Sequence, residues 1–123
     1  GLSGDWGGSW TLTRLVGTAK ARELSFMTDV IGSAEALRIG LVNRVVDDAA
    51  LRAATLAMAH RIADMPQIAV AATKRNLFES ETGSFDTVLD MEAYNQARCS
   101  QTEDHREAVA AFKEKRKPVF KGR

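Results

Sequence analysis

The residues best suited to chemistry lie at the two ends of this 123-residue chain. Gly1-Leu2-Ser3-Gly4-Asp5-Trp6-Gly7-Gly8-Ser9-Trp10 is a glycine-rich turn carrying one acid, Asp5. Glycine lets a backbone come close to a ligand. A helix that starts just beyond the turn favours an ionised carboxylate, and only an unprotonated carboxylate accepts a proton. Asp5 is therefore a candidate base, and the same position also suits a turn or helix-capping aspartate. Trp6, beside it, is a candidate pocket wall. Trp10, one helical turn on, serves equally as a wall or as core packing. Gly7 and Gly8 allow the helix N-terminus to approach a bound group. At the other end, Thr102–Arg116 is a charged amphipathic helix ending in a basic cluster suited to a phosphate. Together the two ends suggest an enzyme for a phosphate-bearing acyl substrate, with its front half expected before Gly1.

The elements that must position these residues follow from caps and periodicity. Ser9 is the expected cap of a helix with Leu12, Leu15 and Val16 on one face, interrupted at Gly17. A second helical run covers Thr18 to Met27. Asp29-Val30-Ile31-Gly32 reads as a brief strand or turn. Ser33 to Gly40 is a short helix, with Ser33 as N-cap, Glu35 in the first turn and Gly40 as a left-handed exit. Leu41-Val42-Asn43-Arg44-Val45-Val46 is rich in β-branched residues and reads as a strand. Asp48 opens a helix with Leu51, Ala54, Met58 and Ile62 on one face, and Pro66 opens the next from its first turn. Ser80 to Gly83 is a loop. A helix from Phe85 to about Cys99 follows, and Thr102 caps the last one, which stops at Pro118. One strand among many helices marks residues 47 to 117 as a helical module after the tail of an α/β core. Its short alanine-rich helices bury too little surface to stand alone.

Composition bounds the function. The chain is 45% hydrophobic and 27% charged, as in globular proteins. A net charge of +1 gives no general attraction to nucleic acid. The basic residues do gather in the tail, where Lys113, Lys115, Arg116, Lys117, Lys121 and Arg123 face Glu114 alone. That tail is either a solvated end or a polyanion contact. Cys99 is the only cysteine, which excludes an intrachain disulfide and fits a reducing, cytoplasmic setting. No stretch approaches the roughly 18 apolar residues of a membrane span.

Several segments in order carry a resemblance. Gly1-Leu2, Asp5, Gly7-Gly8-Ser9-Trp10, Leu12 and Arg14-Leu15-Val16-Gly17 resemble the centre of the enoyl-CoA hydratase/isomerase (crotonase) superfamily. Ala19 to Leu24 is similar to that family's next helix. Ser33-Ala34-Glu35-Ala36 and Gly40 to Val46 resemble its A-E-A and G-L-V signatures, and Thr73-Lys74 fits its lysine helix. Ser100 to Asp104 and Ala110 to Phe120 are similar to its C-terminal signature. The resemblance covers essentially the whole chain and identifies it with the C-terminal half of such a protein. Gly4 departs from the pattern, in which proline is common there.

The resemblance implies an α/β fold in which residues 1–46 end a βα spiral core and carry the active-site loop. Residues 47–123 would form a helical module for oligomerisation and coenzyme A contact, leaving this chain mostly α. It implies an enoyl-CoA thioester substrate, with coenzyme A as part of the substrate and no separate cofactor or metal. Two backbone N–H groups would stabilise an enolate, and two glutamates would activate water in hydratases; both sets are expected upstream of Gly1. The implied reaction is hydration of a 2-enoyl-CoA, as in fatty-acid β-oxidation, with Asp5 pulling toward double-bond isomerisation because several family members place a working aspartate there. The isolated fragment is expected to be inactive. Phe112 and Lys115 match positions that often contact the adenine and the 3′-phosphate, a flat ring suiting the first and an ammonium the second. Helix packing and a solvated lysine are the plain alternatives. The implied partners are the missing N-terminal half and sister subunits in a trimer or hexamer, with no nucleic acid and no membrane. A non-catalytic helical assembly or RNA-binding relative is the alternative class, although the few aromatics do not interleave with the basic residues. His60 and His105 lack metal-ligand spacing and read as surface residues. Cys99 reads as packing, and Glu92 as a buried, paired carboxylate.

Overall fold

The computed structural model describes residues 1–123, and every regular element in it is a helix. In chain order these are α1 (Gly8–Met27), α2 (Ser33–Arg38), α3 (Asp48–Ala63), α4 (Gln67–Ser80), α5 (Phe85–Ser100) and α6 (Glu103–Glu114). The residues form two compact units, Gly1–Arg52 and Ala53–Arg123.

In the first unit, α1 is two helices joined at Gly17, whose φ of 77° and ψ of 160° break the helical path. A side chain at that φ would be strained, so glycine permits the joint. Ala21 is the unit's buried apolar residue. The turn that ends α2 lies against α1, where a β-carbon on Gly40 would sit 3.6 Å from the Leu15 carbonyl. Two caps differ from expectation. Gly7, in a left-handed conformation, is the N-cap of α1, which leaves Ser9 inside the first turn. Gly32 is the N-cap of α2, with Ser33 its first residue.

The expected strand at Leu41–Val46 does not form, and Asp29–Ile31 has no regular structure either. A strand exists only by pairing its N–H and C=O groups with a neighbour, and no strand is present in this chain to provide one. Instead the N–H groups of Leu41 and Val42 both reach the Ala36 carbonyl, at 2.9 and 3.3 Å, and close α2.

In the second unit, α4 packs on α5 and α5 meets α6. Pro66 is the N-cap of α4, one residue before its expected place. Ser84 accepts the N–H of Thr87 to cap α5, and Thr102 accepts that of His105 to cap α6. The buried residues are Asn95, Asp104 and Ala111. Asn95 donates to the Asn76 side chain across α4 and α5 at 2.6 Å. That amide pair stands where a buried Glu92 was expected; Glu92 is exposed. The expected apolar face of α3 is bare, with Leu51 56% and Ile62 47% exposed. No helix is long and apolar enough to cross a membrane.

Candidate active site

The N-terminal loop builds its geometry from one hydrogen bond. The Gly8 N–H donates to the Asp5 carbonyl at 2.8 Å. Between them Trp6 has φ 54° and Gly7 φ 74°. Positive φ at both central residues is the pattern of a type I′ turn, and here it delivers the chain directly into α1. Glycine takes such a conformation freely, but a tryptophan there is a backbone outlier. Backbone outliers of this kind cluster at functional loops. Sequence reading missed this signal because nothing local distinguishes a left-handed tryptophan from an extended one.

Asp5 is exposed at the start of that turn. Its side chain does not cap α1, since Gly7 holds the cap position and no side-chain cap bond is made. Trp6 is 98% exposed beside it. Trp10 is half-exposed, and the Arg14 guanidinium lies 3.6 Å above its ring centre. The cation covers one face of the indole and leaves Trp10 neither a core residue nor an open wall. A β-carbon on Gly4 would approach only the exposed Ser9 hydroxyl, to 3.0 Å, which a small rotation of the serine relieves. The turn thus displays a carboxylate, an aromatic face and the first N–H groups of a helix on one exposed corner.

The second unit holds the other candidates. Phe112 lies in the last turn of α6 and Lys115 just beyond the helix, and both are exposed. Lys115 is the C-cap of α6 and adopts φ 53°, ψ 38°. The Arg116 N–H closes the helix end onto the Ala111 carbonyl at 3.0 Å. Arg116, expected to share the basic cluster, instead grips acids: its guanidinium reaches both oxygens of Glu107 and one of Glu114. The Arg116 bonds, joined by the Val119 N–H, hold the Glu107 carboxyl down at about 2. Asp104, almost fully buried, accepts the N–H groups of Lys121 and Gly122 at 2.7 and 2.8 Å. The structure brings Asp5, Trp6, Gly7 and Gly8 together in one unit, and Phe112 with Lys115 in the other. His60 and His105 are exposed and Cys99 is half-buried. No group of His, Cys, Asp and Glu is arranged to hold a metal ion.

The family model described as enoyl-CoA hydratase/isomerase matches residues 1–123. The chain belongs to the enoyl-CoA hydratase/isomerase family. It is 34% identical over 123 residues to 1,2-epoxyphenylacetyl-CoA isomerase of Escherichia coli, covering 100% of this chain and 47% of that protein. It is 38% identical over 120 residues to crotonyl-CoA hydratase of Syntrophomonas wolfei, covering 98% and 46%. The solved structure of enoyl-CoA hydratase from Bacillus anthracis superimposes with a TM-score of 0.91 at 35% identity, over 95% of this chain and 45% of that one. The fold is therefore of the crotonase type, and these residues are a helical part of it. The chain spans about half the length of the curated relatives it matches.

Proposed function

We propose that the protein acts on an enoyl-CoA thioester, with hydration of a 2-enoyl-CoA as its leading reaction. Family membership supports the substrate class, and a hydratase and an isomerase among its relatives bracket the chemistry. In this reading residues 1–46 end the spiral core and 47–123 form the module for oligomerisation and coenzyme A contact. Residues outside this chain supply the enolate-stabilising N–H donors and the water-activating glutamates, and the working form is a trimer or hexamer. Water adds to C3 of the conjugated thioester while C2 gains a proton, and donors aimed at the developing oxyanion lower the barrier. Trp6 flanks the acyl group, and Gly7 and Gly8 bring the start of α1 up to the thioester. Phe112 stacks on adenine and Lys115 meets the 3′-phosphate.

The observation that carries the site assignment is the strained turn that exposes Asp5 without using it as a cap. It also favours a second reaction on the same substrate class. The Asp5 carboxylate takes a proton from C2 of a 3-enoyl-CoA, the C–H electron pair moves onto the thioester oxygen to leave a dienolate, and on its collapse the proton returns at C4 while the double bond forms between C2 and C3. The experiment is the ratio of 3-enoyl-CoA isomerisation to 2-enoyl-CoA hydration in the full-length protein and in Asp5→Asn. The amide keeps the size but accepts no proton, and loss of a positioned base costs on the order of 10²–10⁴ in rate. Isomerisation is expected to fall by that much and hydration far less. Equal small effects on both would return Asp5 to a turn residue. Absence of both activities in the wild type would overturn the enoyl-CoA reading itself.

A further inference from the structure

The segment after α6 is tied back onto that helix by its own acids. Asp104 sits in the first turn of α6 and is 2% exposed. Its two carboxylate oxygens take consecutive backbone N–H groups from Lys121 and Gly122. Its own N–H donates to the Arg123 carbonyl at 3.0 Å. Gly122 has φ 75°, a left-handed conformation that glycine adopts without strain. One turn further along α6, Glu107 binds the Arg116 guanidinium through both oxygens and the Val119 N–H at 2.9 Å. Arg123 adds a bond to Glu103 at 3.0 Å. Residues 116–123 therefore form a strap running back along the helix, held at Glu107 and again at Asp104.

Lys115 is the hinge between helix and strap. It is left-handed, which disfavours any residue with a β-carbon and is the usual place for glycine at a helix end. It makes no ion pair, as Lys113 and Lys121 make none, while Arg116, Lys117 and Arg123 on the strap are each paired. A lysine rather than glycine thus holds the left-handed position, with the helix on one side and the anchored strap on the other. On the reading that Lys115 meets the 3′-phosphate of coenzyme A, we propose that Asp104 and Glu107 are positioning residues. Their hold on the strap keeps Lys115 in its left-handed conformation with its ammonium presented to that phosphate. Binding then meets a cation already placed instead of ordering a flexible end, which lowers the entropic cost of the contact.

The test measures binding of coenzyme A and of 3′-dephospho-coenzyme A by calorimetry on the full-length protein. The ratio of the two dissociation constants reports the phosphate contact alone. Asp104→Asn and Glu107→Gln are each expected to cut that ratio about tenfold, the scale of weakening one charge-assisted contact. Binding of the dephospho compound should hardly change. Lys115→Ala should cut the ratio as far, and adding Asp104→Asn to it should cut it no further, because both act through one contact. General damage to the fold would weaken both ligands together and leave the ratio intact, which overturns the proposal. A ratio that collapses in Lys115→Ala but survives in both acid variants overturns the strap's role and leaves the lysine's. A ratio that survives Lys115→Ala removes the phosphate reading and this inference with it. If Asp104→Asn does not fold, Glu107→Gln, at a part-exposed ion pair, decides.

Discussion

Lys115 and Asp5 are residues whose backbone and side chain tell different stories. The side chains are ordinary surface groups, while the backbone at Lys115 and beside Asp5 at Trp6 is left-handed. Asp5 was legible as a lone acid among glycines, and Lys115 through the family resemblance of the C-terminal segment. The conformations were not, because they close on backbone hydrogen bonds, Gly8 N–H to the Asp5 carbonyl and Arg116 N–H to the Ala111 carbonyl, that any residue types can make. The anchoring role of Asp104 was hidden for the same reason. Its partners are the backbone N–H groups of Lys121 and Gly122, which carry no sequence signature. For Lys115→Ala in the full-length protein, KM for an enoyl-CoA should rise while kcat at saturation stays close to the wild type. The lysine is assigned to a phosphate remote from the reacting carbons, so its loss removes binding common to ground and transition states. Steady-state kinetics decide it, and a large fall in kcat at unchanged KM would contradict the assignment.

At the scale of elements, the helices were readable and the strand was not. Thr102 before Glu103-Asp104 is a local start signal, and the hydroxyl does cap α6; removing such a cap typically costs about 1 kcal/mol. Leu41–Val46 has strand composition, but pairing is non-local, and no partner strand lies within these residues. Composition described the face such a segment would suit rather than the structure it takes here. The strap on α6 makes a measurable element-scale prediction. Glu107 titrates at about 2 instead of 4.5, first because Arg116 binds its carboxylate and then because Val119 does. A carboxyl depressed in the folded state contributes stability that is fully present above its unfolded value. That contribution is lost as pH falls through the folded value. The excess urea midpoint of the wild type over Glu107→Gln should therefore shrink between pH 4.5 and about 2. Added salt should narrow it as well, because both side chains keep part of their exposure, 26% for Glu107 and 40% for Arg116. A gap that ignores pH across this window would show that the pair does not hold the strap.

For the whole molecule, the decisive fact is how little apolar surface these residues bury among themselves. Ala21 and Ala111 are the buried apolar residues, while Leu77, Phe78 and Phe85 are 63%, 67% and 78% exposed. In the second unit Ile62, Met65, Val70, Leu77, Phe78 and Met91 line an open apolar trough of about 1170 Å³. Fully burying one such side chain contributes about 1.5–3 kcal/mol, so a surface of this kind strongly favours being covered. The curated relatives this chain matches are about twice its length. The enolate-stabilising donors and water-activating glutamates are assigned to residues outside this chain as well, so stability and chemistry make the same demand. Residues 1–123 purified alone should bind an apolar dye such as anilinonaphthalene sulfonate and turn over crotonyl-CoA negligibly. Asp5 would still be present, but a base without an oxyanion site faces an enolate that nothing stabilises, and each 1.36 kcal/mol of lost stabilisation is about tenfold in rate. Dye fluorescence and single-turnover kinetics provide the two readings. Crotonyl-CoA turnover near that of an intact relative would mean that these residues hold a complete site, and the division of labour proposed here would be wrong.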